Sequence, residues 1–224
     1  MEILYADNHL IVVNKPFGIP TESTEEMSLE HQVKLWVKEK YDKKGEVFVR
    51  AAHRLDKSAT GIVVFAKTSK ALERLHESFR TRQVQKTYLA LVEGEIMEES
   101  GLFEDHLLRK EYCSAICSAT HPLAKKAVLS YKVQKRLRGY SLVEIDLHTG
   151  RYHQIRIQFS SRGHPVVNDG KYGAKRIEKA HHIALHHAKL QIIHPVSKET
   201  LIFTLPLPTE WKRFSSDLPE FFVV

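Results

Sequence analysis

Little cysteine, no long apolar run and no repeated or low-complexity segment set the first limits on this chain. Cys113 and Cys117 are the only cysteines among 224 residues. They are too few for a disulfide framework, and their spacing fits one helical face as well as anything else. Such usage suits a reducing cytoplasm. The apolar runs at 10–13 and 62–66 are strand-sized, far short of the roughly 20 residues a membrane-crossing helix needs. The N-terminus carries Glu2 and Asp7 and no charged-then-apolar leader, so it does not read as a signal peptide. The glycines of 163–173 lack the spacing of a dinucleotide or P-loop fingerprint, and there is no Gly-x-Ser-x-Gly nucleophile elbow.

What is present is ordinary for a globular protein: 42% hydrophobic and 27% charged residues. The length gives a sizeable core in one large domain or two small ones. No linker is apparent, and the chain reads as a single domain, 1–224. The net charge of +7 favours a polyanionic partner, nucleic acid above all, through release of counterions from phosphates.

Residues 3–20 read as one or two strands closed by Pro16, Gly18 and Pro20. The period of Leu29, Val33, Trp36 and Val37 predicts a helix over 28–41, and that of Leu72, Leu75 and Phe79 another over 69–82. The second helix carries Lys70, Arg74, Arg80 and Arg82 on its other face. Strands are predicted at 61–67, 87–92, 128–134 and 141–147, the last two joined by a turn at Arg138-Gly139. Residues 98–126 are polar and irregular and read as a loop-bearing excursion. Residues 151–163 fit a helix or a strand; Thr149-Gly150 before them and Gly163-His164-Pro165 after favour the helix. The proline-bearing tail after Leu205 reads as extended. Strands and helices interleave without a regular βαβ rhythm, so the class is α+β with a mixed sheet.

Three clusters could carry chemistry. In "HRLDKSATG" (53–61), His53 and Arg54 precede Asp56 beside an apolar strand. A positioned carboxylate next to cations can act as a nucleophile or a base; a turn aspartate can equally cap nearby amides. In "HTGRYHQIRIQ" (148–158), Arg151, His153, Gln154 and Arg156 lie close together. On a helix His153 and Arg156 share a face, and an arginine there can pair with Asp56 or grip a phosphate; the alternative is a solvated basic face. In "VQKTYLALVEG" (84–94), Lys86 and Tyr88 project to one side of a strand, where a tyrosine either fills the sheet or stacks on a base. His182 and His186 have the i, i+4 spacing of metal ligands within a His181–His187 cluster, without the acid or cysteines that would support a zinc site.

These clusters occur in a fixed order that resembles the RluA-type family of RNA pseudouridine synthases. That family's signature is His-Arg-Leu-Asp, two variable residues, then Thr-Ser-Gly. "ILYADNHLIVVNKPFG" resembles its opening strands and Asn-Lys-Pro-x-Gly loop, "KTYLALVEG" its Lys-x-Tyr strand, and "TGRYHQIRIQ" its Thr-Gly-Arg-x-His-Gln-Ile-Arg segment. "GHPVVNDGKYG" and "LHHAKLQIIHP" resemble the closing motifs. The departures are Ala59-Thr60 for Thr-Ser, Gln158 for the usual His and Asn168 for the usual Gly.

The resemblance implies a mostly antiparallel central sheet flanked by helices, with the active-site cleft across it. It implies isomerisation of uridine to pseudouridine in structured RNA, either tRNA or rRNA, without metal or organic cofactor. Asp56 matches the catalytic aspartate, attacking C1′ or removing a 2′ proton, with Tyr88 and Arg156 completing the catalytic set. His53, Arg54, Lys86, Arg151 and His153 fall among the substrate-binding positions, with Arg54 filling the space left by the flipped base. No small RNA-binding S4 domain stands before the catalytic motifs, and a monomer is the default expectation.

Overall fold

The computed structural model describes residues 1–23, 27–175 and 182–219. The chain packs as two compact units, one of residues 1–84 and 189–205, the other of residues 85–188 and 206–224. The boundaries fall immediately before one strand, inside a second and just after a third.

The first unit contains β1 (Glu2–Ala6), β2 (Leu10–Lys15), α1 (Leu29–Lys40), β3 (Arg50–Ala51), β4 (Thr60–Ala66) and α2 (Ser69–Arg80). It also takes the last five residues of β10 (Leu185–Ile193) and all of β11 (Thr200–Thr204). Its strands run in the order β1-β2-β4-β10, with β11 on β10 and β3 on β4. Strand β4 follows the apolar run that the sequence marked as a strand, and all but its first residue are buried. Ile62, Val64 and Ala66 alternate onto the face that meets Leu10, Val12, Leu75, Leu190 and Ile192 in one core. Leu72 and Phe79, the other apolar positions of α2, pack at the edge of that core.

Both helices start where their capping residues stand. The Ser28 hydroxyl accepts from the His31 amide, and the Thr68 hydroxyl from the Ala71 amide. Helix α2 stops at Arg80, two residues before the predicted end, because Arg82 takes a positive φ of 60°.

The second unit contains β5 (Gln85–Glu93), β6 (Ser100–Arg109), β7 (Ser114–Ile116), β8 (Lys125–Leu137), β9 (Tyr140–Leu147) and α3 (Gln154–Ser160). A 3-10 turn follows at Gly170–Tyr172. Its strands run β5-β9-β8-β6-β7, and every one of these pairings is antiparallel. The β8–β9 hairpin turns at Arg138-Gly139, with Gly139 at a φ of 80° that suits glycine. Phe103, Tyr131 and Phe159 meet ring to ring at 4.8–5.6 Å and pin α3 to the sheet.

The α+β class and the mostly antiparallel sheet are as expected. Three local readings change. Residues 98–126 contain β6 and β7 rather than an irregular excursion: Glu104, Asp105 and His106 hid a strand whose backbone bonds are satisfied by β8. The tail is not wholly extended, since residues Thr209–Arg213 form a 3-10 turn that buries Trp211. His153 is not on the helix but caps it in the left-handed conformation, at φ 53° and ψ 27°.

Candidate active site

Asp56 sits in the loop between β3 and β4, and the surrounding sequence pins this loop at each end and in the middle. At the start, the buried Glu30 of α1 accepts from the Ala51 amide (3.1 Å) and pairs with Arg50 and Lys34. In the middle, the Thr21 hydroxyl donates to the Leu55 carbonyl and accepts from the Leu55 amide, both at 3.1 Å. At the end, Lys15 is fully buried, and its ammonium donates to the carbonyls of Ala59 (2.7 Å), Pro16 (2.9 Å) and Lys57 (3.4 Å). The Gly18 amide adds a bond to the same Lys57 carbonyl (2.8 Å). The Ala59 amide closes a turn onto the Asp56 carbonyl (3.1 Å).

Lys15 does more than tie the backbone. Burial pushes its pKa down to about 8, and the Asp56 carboxylate opposes that shift. The Asp56 carboxylate thus favours the charged form of Lys15 against its burial. Gly61, two residues past Ala59, has a φ of 118° that a side chain would strain. The flanking His53 ring accepts from the Val64 amide through Nε2 (3.2 Å) and packs 5.0 Å from the Phe79 ring. Arg54 is exposed, whereas Asp56 is half-buried.

The second unit carries the remaining predicted residues. Tyr88 is buried on β5, opposite Ile145 of β9. Its ring stacks on that of His187, 4.4 Å between centroids and 14° between planes. His186, next to it, has its pKa lowered to about 3 by burial and by His187. Both lie on strand β10, so the helical i, i+4 pattern that would have made His182 and His186 a metal pair is not formed. His181 falls outside the described residues.

Arg156 of α3 is buried and forms a bidentate pair with Asp169, Nε to Oδ2 at 2.6 Å and Nη2 to Oδ1 at 2.8 Å. Its guanidinium lies 5.0 Å from the centre of the Tyr172 ring. Burial pushes the Tyr172 phenol up to about 12. That phenol accepts from the Ser114 amide (2.7 Å) and bonds His153 Nδ1 (2.9 Å). Arg151 donates through Nε to the Lys126 carbonyl (2.9 Å). Gly150 stands next to the Lys86 ammonium, which would lie 3.7 Å from a β-carbon there. His153 is thus held by structure rather than presented on a helical face with Arg156.

Sequence reasoning missed Lys15, Thr21, Glu30, Asp169 and Tyr172. Lys15 and Asp169 lay within recognised motifs, so their position was visible but their partners were not. Thr21 and Glu30 gave no signal, because each meets its partner only through the fold.

The ordered motifs are those of an RNA-modifying enzyme, and the chain belongs to the RNA pseudouridylate synthase family, whose model matches residues 9–161. It is 34% identical to an uncharacterised RNA pseudouridine synthase, YhcT, of Bacillus subtilis, over 95% of this chain and 70% of that protein. It is 33% identical to the dual-specificity RNA pseudouridine synthase RluA of Haemophilus influenzae, over 91% of each. Among solved structures, human RNA pseudouridylate synthase domain containing 4 superposes with a TM-score of 0.80 at 26% identity, covering 94% of this chain and 90% of that one.

Proposed function

We propose that this pseudouridine synthase acts on uridines of structured RNA, of the ribosomal or transfer class, with Asp56 as the residue acting at the sugar. The observation that carries the assignment is the fixing of the Asp56 loop by three buried polar side chains, Glu30, Thr21 and Lys15. A surface turn has no use for that investment of buried hydrogen bonds. The RNA class is supported by relatives named for the large ribosomal subunit and for dual specificity.

The target base must leave its stack, at a cost of a few kcal/mol. Arg54, exposed two residues before Asp56, fills the vacated space. Asp56 acts at the ribose; the C1′–N1 bond breaks, the uracil turns, and C5 bonds to C1′. The C5 proton leaves and N1 gains one, so the reaction balances without oxidant or reductant. Tyr88 packs on the uracil, its ring held by the His187 stack. Arg156, its guanidinium oriented by Asp169, is the third member of the proposed catalytic set. Among the expected substrate-binding residues, His53, Lys86 and Arg151 are partly exposed and remain candidates for contact with RNA, whereas buried His153 acts through its bond to Tyr172.

Asp56→Asn is expected to abolish pseudouridine formation on uridine-bearing transcripts while RNA affinity and unfolding temperature stay near wild type. Tyr88→Phe is expected to lower turnover severely with affinity kept. Persistent turnover by Asp56→Asn removes the catalytic assignment, and release of free uracil by the wild type points instead to a hydrolase.

A further inference from the structure

We propose that the β6–β7 turn, residues 109–114, is a docking arm for the substrate RNA: Arg109, Lys110 and Lys171 hold phosphates, and Tyr112 stacks on an unpaired base. The proposal rests on the reading of the chain as an RNA-modifying enzyme and adds a contact surface outside its catalytic residues.

The turn combines exposure with a rigid base. Tyr112 is 68% exposed, more than any other aromatic side chain among the described residues. The neighbouring Glu111 carboxylate raises the phenol's pKa. The faces of an exposed ring are suited to a base, which every nucleotide supplies. The Lys171 ammonium donates to the Tyr112 carbonyl (2.8 Å). It thereby joins Arg109 and Lys110, both exposed, at one tip. Three cations face one acid there, Glu111, which favours a polyanion over a neutral or basic partner.

The arm is also anchored. Lys110 N–H closes the turn onto the Cys113 carbonyl (2.9 Å). Buried Ser114 gives its amide to the Tyr172 phenol (2.7 Å) and its hydroxyl to the Tyr152 carbonyl (2.5 Å). The Arg109 guanidinium lies 4.8 Å from the centre of the Tyr152 ring, and that ring stacks on His153 at 3.8 Å. The turn is therefore fastened to the "RYHQIR" segment, and the Arg109 and Lys171 side chains are already held in place, which limits the ordering cost of binding.

The test measures binding alone, with a fluorescently labelled transcript of a uridine-bearing rRNA stem–loop as probe, across a salt series. Lys110→Glu/Lys171→Glu is expected to bind about tenfold or more weakly at moderate salt, and to reduce the slope of log affinity against log salt by about 1.4–1.8. Tyr112→Ala is expected to bind about five- to hundredfold more weakly with the slope kept. Lys43→Glu/Lys44→Glu, an equal charge change in an exposed loop of the first unit, serves as control. Arm variants that bind as the wild type does, or no more weakly than the control, overturn the proposal. An arm variant that binds this RNA as wild type but loses affinity for an acidic protein would likewise overturn it in favour of a protein partner. Because binding is read without turnover, a wild type that forms no pseudouridine counts against the proposed function and leaves this comparison intact.

Discussion

Lys15 shows how a single side chain can hold the loop of the proposed catalytic aspartate. Its burial is costly for a charge, yet its ammonium satisfies carbonyls from both the 15–18 loop and the Asp56 loop. Lys15→Met leaves those carbonyls without it, and is expected to cost about 2–4 kcal/mol of stability and to lower turnover by loosening Asp56; urea unfolding and a single-turnover assay check both. The pH dependence follows from the sign of the shift. The folded-state pKa, about 8, is below the usual lysine value of 10.5. Between those values the unfolded chain binds more protons, so this group adds stability as pH rises through the window, and that gain is lost as pH falls through about 8. The wild type should therefore gain more stability than Lys15→Met between pH 7.5 and 9.5. An identical gain in both would contradict the account. Asn168 explains one departure from the family pattern: it stands at φ 67°, where Gly is at ease and Asn is the next best residue. Its amide also donates to the His182 carbonyl (2.6 Å). Asn168→Gly should keep the fold, whereas Asn168→Ala should cost about 1–2 kcal/mol, read as a fall in unfolding temperature.

At the scale of elements, α3 and the segment after it matter through one ion pair. Removing one partner of a buried pair costs about 3–5 kcal/mol, so Asp169→Asn should destabilise the protein by that order. The double variant with Arg156→Met should lose less than the sum of the single changes, in a double-mutant cycle by chemical denaturation. Additive losses would mean that the pair does not act as a unit. This pair also marks the limit of what the sequence made legible. Helices α1 and α2 were readable because their apolar positions recur at helical spacing and Ser28 and Thr68 cap them. Strands β4, β8 and β9 were readable from β-branched runs and a Gly turn. Strand β6 was not, because its stability comes from pairing with β8 while Glu104, Asp105 and His106 interrupt its apolar residues. Asp169 as the partner of Arg156 was equally hidden, since a turn thirteen positions on returns it to the helix. His153 was misplaced because histidine's modest left-handed tendency does not set it apart in the sequence from a first helical residue.

At the scale of the whole molecule, the ordered motifs made the family legible, and the structure adds the reason for their residue choices: most of them hold loops. Gln158, the second departure, is fully buried and donates to the Asp105 carboxylate (2.7 Å), tying α3 to β6. Ala59, the third, is buried and offers its carbonyl to Lys15; nothing in the structure explains why Ala-Thr is preferred there to Thr-Ser. The central claim is that Asp56 of this chain converts particular uridines of cellular RNA to pseudouridine. Pseudouridine mapping of total RNA tests it most directly, in cells that carry the gene, lack it, or carry only Asp56→Asn. The account predicts defined ribosomal or transfer RNA positions that are modified in the first cells and unmodified in the other two. Identical maps in all three, or modification restored by Asp56→Asn, would contradict it.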